Sequence, residues 1–215
     1  MKDKKTLIKL SLGEEIGNSV THGVMAMLML IALPIGSVLA YNRDGWILAT
    51  GISVFIISLF LMFLSSCLYH AMAYDSKHKS VMRILDHIFI YVAIAGSYTP
   101  VALSLIKGWQ GILILVVQWT MVLFGVLYKS LSKKSMPKAS VSIYLTMGWV
   151  AVFFMPTLIK TANPKFMILL ALGGIFYSVG AWFYSQKHRP YFHFIWHLFI
   201  NFAAISHFLA MLFYI

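Results

Sequence analysis

The chain has 215 residues, 60% of them hydrophobic and only 11% charged, with a mean hydropathy of +0.84. Soluble domains carry about 25% charged residues, so this composition cannot furnish a soluble surface and points to a polytopic membrane protein. The formal charge of +11 does not indicate nucleic acid. The Lys and Arg residues sit in short loops between apolar runs, the orientation signal of membrane proteins, with some attraction to anionic lipid.

Taken in order, Lys2, Lys4, Lys5 and Lys9 precede the first apolar run in the manner of a signal peptide, with Val38, Leu39 and Ala40 as a small-residue cleavage site. The polar stretch 11–21 is too long for such a leader, and the run from Gly23 is long enough to span, so the segment stays as the first helix. Ser11 and Glu14 form a capping box ahead of it. Seven spans follow, near residues 20–40, 46–74, 83–106, 109–130, 139–159, 165–186 and 192–214. Their apolar runs are continuous where barrel strands would alternate, so they are helices. The expected fold is an all-α bundle of seven transmembrane helices, a single membrane domain over 1–215.

Counting cations orients it. With the N-terminus inside, the inner segments hold Lys2, Lys4, Lys5, Lys9, Lys77, Lys79, Arg83, Lys129, Lys133, Lys134, Lys138, Lys187 and Arg189. Only Arg43, Lys107, Lys160 and Lys165 fall outside. The bias puts the N-terminus in the cytoplasm and the C-terminus outside. Pro100 is expected to kink the third span, and Gly174 with Ser178 to give the sixth a small face for close helix contact. The single cysteine, Cys67, excludes an intrachain disulfide and sits about 100° around the helix from Ser66.

The polar residues of the spans carry the chemistry. Ser66 and His70 lie one turn apart at the inner end of the second span, Asp86 begins the third, and His193 and His197 begin the seventh. At i and i+4 the last pair shares one helix face, and the alternation of spans brings all five residues to one depth. Three imidazoles suit a catalytic zinc site with an open fourth position, although Cu, Fe or Ni would accept the same nitrogens. His70, His193 and His197 are the candidate ligands. Asp86 is the candidate base toward a water and Ser66 the candidate donor to an oxyanion. Glu15, Asn18 and His22 share a face of the first helix and either support the metal ligands from behind or pin that helix to a neighbour. His207 lies too deep to share the ion and is expected to hydrogen-bond another helix. His78, His87 and His188 are expected to be solvated.

These residues, in the order Glu15–Asn18–His22, Ser66–His70, Asp86–His87, 96–100 (Gly-Ser-Tyr-Thr-Pro) and His193–His197, resemble the motifs of the hemolysin III family, the bacterial branch of the progestin and adipoQ receptors, with the alkaline ceramidases more distant. The resemblance covers nearly the whole chain. It implies seven helices, a cytoplasmic N-terminus, zinc held by His70, His193 and His197, and a zinc-dependent hydrolysis of lipid amides or esters. For the bacterial branch it also implies haemolytic, pore-forming activity. Three functions stay open at this point: a zinc hydrolase of membrane lipids, a receptor or membrane-homeostasis regulator with structural zinc, and a cytolysin. The expected location is the cell membrane and the expected partners are lipids.

Overall fold

The computed structural model describes residues 9–131, 137–186 and 188–215. The cations at 2, 4, 5, 133, 134 and 187 that entered the orientation count lie outside these residues. The described elements are all helical.

Helix α1 covers Leu12–Ala71. The expected capping box starts it: Ser11 Oγ accepts from Glu14 N at 3.3 Å, and Ser11 N donates to Glu14 Oε2 at 3.0 Å. An unbroken helix of 60 residues would reach ~90 Å, about three times the hydrocarbon thickness. It does not run straight, because Asp44 (φ −145°, ψ 28°) and Gly45 (φ 70°, ψ −162°) leave helical geometry. Gly45 takes a backbone conformation that a residue with a Cβ resists. The arms 12–43 and 46–71 then lie antiparallel. Ser37 Oγ meets Ser53 Oγ at 2.8 Å near the bend, and Ser19 Oγ donates to Cys67 O at 3.1 Å far from it.

Helix α2 (Lys77–Pro100) begins six residues before the expected span because Ser76 caps it, accepting from Lys79 N at 3.0 Å. At Pro100, which has no N–H to give, the backbone passes into a π-helix, Val101–Ile106. The expected kink therefore takes the form of a change in helix type. Lys107 and Gly108, both at positive φ, turn the chain into α3 (Gly108–Leu131). The fifth expected span is interrupted: α4 (Pro137–Trp149) tightens into a 3-10 segment, Val150–Phe154, before α5 (Met155–Thr161). Tyr98 repairs the interruption from α2. Its hydroxyl donates to Gly148 O at 2.6 Å and accepts from Ala151 N at 2.8 Å. Helices α6 (Pro164–Ser185) and α7 (Phe192–Tyr214) pack along each other.

Six of these helical stretches are long and apolar enough to cross a membrane. The distribution of side chains agrees with lipid as the solvent. Phe153, Leu12, Leu131 and Trp109 are each more than 70% exposed, while Glu14, Asn18, His22, His70, Lys79, Asp86 and His197 are buried.

The small face of α6 is not the expected one. Gly174 has no neighbour close to where a Cβ would stand, and Ser178 bonds back to Gly174 O at 2.8 Å. Both line a cavity. Close contact with α7 is made one residue away, through Gly173 against the His207 ring and Gly180 against Phe199 and Trp196. His207 does bond another helix, as expected: its Nε2 lies 3.2 Å from Leu170 O and donates to it.

Candidate metal centre

Two elements deliver the three histidines. The return arm of α1 ends on His70, and the first two turns of α7 carry His193 and His197. The Nε2 atoms of His70 and His193 are 3.3 Å apart, and those of His193 and His197 also 3.3 Å. The tetrahedral zinc angle and Zn–N bonds of ~2.0–2.1 Å separate ligand nitrogens by about 3.3 Å, so this spacing fits one ion. His70, His193 and His197 are positioned to hold a metal.

The tautomer of His70 supports the same reading. Its Nδ1 lies 2.6 Å from Glu15 Oε2, and a carboxylate only accepts, so Nδ1 carries the proton. In the neutral ring Nε2 is then a lone pair, aimed at the other two imidazoles. This carboxylate–histidine arrangement is how metal ligands are oriented from behind. The other oxygen of Glu15 accepts from Lys79 Nζ at 2.7 Å.

Glu14, the residue before Glu15 in the same turn, reaches a different element. Its Oε1 accepts from Tyr191 N at 2.7 Å, across 177 residues of sequence, and so fixes the entry of α7. Tyr191 is at φ 61°, a conformation this bond helps to hold. Adjacent carboxylates at the start of α1 thus anchor both histidine-bearing elements. From the sequence Glu14 reads as part of the capping box alone and Lys79 as a loop cation. Lys79 is in fact buried.

The remaining candidates surround the triad. His22 stacks on His197, ring centroids 3.9 Å apart at 29°. Asn18 is fully buried one turn before it. Both amide atoms of Asn18, both ring nitrogens of His22, Ser66 Oγ and His197 Nδ1 are buried without a protein hydrogen-bond partner. Such a concentration of unpaired polar atoms is costly and marks a site built for more than packing. Asp86 is buried, and with Ser66 and His22 it lines a cavity of about 380 Å³. The rest of that cavity's wall is mainly apolar and comes from all seven α-helices, the π-helix and the 3-10 segment.

His87 departs from expectation. It is half-buried rather than solvated: Nδ1 donates to Arg83 O at 2.7 Å, and Nε2 accepts from Tyr184 Oη at 3.2 Å. Its Nδ1 also lies 3.4 Å from Asp86 Oδ2, so it braces the carboxylate without joining the triad. His78 and His188 are exposed, as expected. Cys67 faces Ser19 and Gly23, away from the histidines.

Comparison with known proteins agrees with these motifs. The family model described as Haemolysin-III related matches residues 10–208. The chain is 37% identical over 201 residues to the Hemolysin-3 homolog of Bacillus subtilis (strain 168), covering 94% of each chain. It is 35% identical over 215 residues to Hemolysin-3 of Bacillus cereus, covering 100% of this chain and 98% of that one. Against the Monocyte to macrophage differentiation factor of Homo sapiens it is 30% identical over 207 residues, covering 92% of this chain and 83% of the other. With this match along its length and helices able to cross a lipid bilayer, the chain is a multi-pass protein of the cell membrane and belongs to the haemolysin-III related family.

Proposed function

We propose that this protein is a membrane-embedded zinc hydrolase acting on a long-chain lipid amide or ester. The observation that carries the reading is the apolar cavity of about 380 Å³ whose lining includes Ser66 and Asp86, within the size range of small-ligand pockets. In this reading the two arms of α1 cross the membrane separately, giving seven crossings, and the charge bias puts the N-terminus in the cytoplasm. The triad then faces the inner leaflet.

His70, His193 and His197 would hold the zinc. When bound there, zinc polarises a carbonyl and lowers the pKa of a water toward neutrality. Asp86 takes the proton from the attacking water and returns it to the leaving amine or alkoxide. Ser66, which lines the cavity with Asp86, donates to the developing oxyanion. His22 supports His197 by stacking on its ring, and the apolar wall holds the chain of the lipid and keeps bulk water away. The test is turnover of a lipid amide and ester panel by zinc-loaded protein in nanodiscs. Product formation abolished by Asp86→Asn supports the reading, and no turnover of any lipid sinks it.

The Glu15 and Glu14 ties favour a second reading, in which zinc is structural and locks α1 to α7 in a receptor or a regulator of membrane state. There, Asp86→Asn would keep full cellular function while His197→Ala loses it. Release of dye from liposomes by the metal-free protein would point instead to cytolysis, the activity named in its bacterial relatives.

A further inference from the structure

Lys79 stands in the first turn of α2, where a lysine next to a loop normally reaches into water and serves as a topological signal. This one is 2% exposed. Its Nζ donates to Glu15 Oε1 at 2.7 Å and to Met72 O at 3.1 Å, and lies 4.9 Å from the centroid of the Tyr69 ring. A buried ammonium is expensive unless its donors are spent on partners. Here a carboxylate, a carbonyl and an aromatic face take them up.

The carboxylate it holds is the one behind His70. The terminal torsion of a glutamate is broad, so one hydrogen bond leaves the group free to swing. Glu15 is gripped at both oxygens, Oε1 by Lys79 and Oε2 by His70 Nδ1 at 2.6 Å. We infer that Lys79 is a positioning residue for the metal centre: by holding Glu15 it fixes the direction in which His70 presents Nε2 to the ion. This rests on the reading of the triad as a metal site, and Lys79 itself touches neither metal nor substrate. The lysine joins three segments at one point, the start of α1, the end of its return arm and the start of α2. A purely structural role would move stability and leave metal affinity alone.

The experiment measures Zn²⁺ affinity by chelator competition, and the Co²⁺ absorption spectrum, on the full chain in detergent. Four proteins are compared: wild type, Lys79→Met, Glu15→Gln and the double variant. Lys79→Met and Glu15→Gln should each weaken zinc about 10- to 100-fold and shift the cobalt bands. The double variant should bind no more weakly than Glu15→Gln alone, because the lysine acts only through the glutamate. Wild-type affinity in Lys79→Met, or losses that multiply in the double variant, would overturn the inference while leaving the metal site standing. Failure of the wild type to bind metal would remove the metal reading and this inference together. If Lys79→Met does not fold, Lys79→Gln, which keeps a donor but loses the charge facing Glu15, replaces it under the same two criteria.

Discussion

Around the triad, and at Ser66, Asp86 and His22 where the cavity comes nearest to it in the fold, side chains tie the elements together. Glu15 joins His70 to Lys79, Glu14 joins α1 to the head of α7, and His87 joins α2 to Tyr184 on α6. Farther along, the wall made by α4, the 3-10 segment and α5 is built differently. Phe153, Trp149 and Ile159 there are exposed to the surroundings, and Tyr98 supplies the hydrogen bonds that close the broken backbone. A polar site in lipid must hold its groups in register against the cost of burying them, whereas an apolar wall needs only to fit. The contrast implies that substitutions at the polar end act on metal and chemistry, and those along the wall act on stability by ordinary packing amounts.

The sharpest break of that contrast is at the ligands. His70→Ala and His197→Ala should each lose the bound metal, with about one zinc per chain in the wild type by elemental analysis. With free zinc at about 100 times its Kd, the wild type gains about 2.7 kcal/mol of stability, read as a zinc-dependent rise in Tm. Neither variant should show that rise. Asp86→Asn separates chemistry from binding: zinc content and the zinc-dependent Tm shift stay, and lipid turnover falls by about 10²- to 10⁴-fold. Loss of metal in Asp86→Asn would make the aspartate part of the metal's coordination and not the base.

The polar end was the more legible half in the sequence, and for a physical reason. Ionisable residues are rare in spans, so His70, Asp86, His193 and His197 stood out, and the i, i+4 spacing placed two of them on one face. Partners that reach across the fold left no such mark. The bond from Glu14 to the backbone of Tyr191 involves no recognisable residue at its far end, and Lys79 reads as a loop cation until its burial is seen. On α6 the small residues 173, 174, 178 and 180 cover several directions, since one residue turns a helix by 100°. Which pair meets α7 depends on a rotation that composition does not encode. The bend at Asp44–Gly45 was visible as a polar gap between apolar runs, but the 3-10 break within 150–154 was not, because that stretch is as apolar as its flanks.

Along the packed side of the cavity, Gly173→Ala should cost more than a surface change on α6. A methyl there overlaps the His207 ring, and the imidazole cannot retreat without giving up Leu170 O. Overpacking of this kind destabilises by about 1–3 kcal/mol, measured as a lowered Tm in detergent. Zinc affinity should be unchanged, since the ring lies about 15 Å along α7 from His197 by helical rise. A loss of zinc in this variant would mean that the position of α7 is set along its whole length and not by Glu14 at its head.

The smallest expected effect tests the wall itself. Tyr98→Phe keeps the ring and removes the hydroxyl that serves both Gly148 O and Ala151 N. Two backbone groups lose their partner at a point where the helix ladder is already broken, and leaving such groups unpaired costs about 1–3 kcal/mol each when no water replaces the bond. Beside a cavity some of that is recovered by water, so a net loss of about 1–2 kcal/mol is expected. Hydrogen exchange should quicken at residues 148–154 and nowhere near the histidines, with zinc affinity unchanged. Exchange that quickens equally at 193–197 would mean that the wall and the metal centre open as one cooperative unit, and the division between a tied end and a fitted wall would have to be given up.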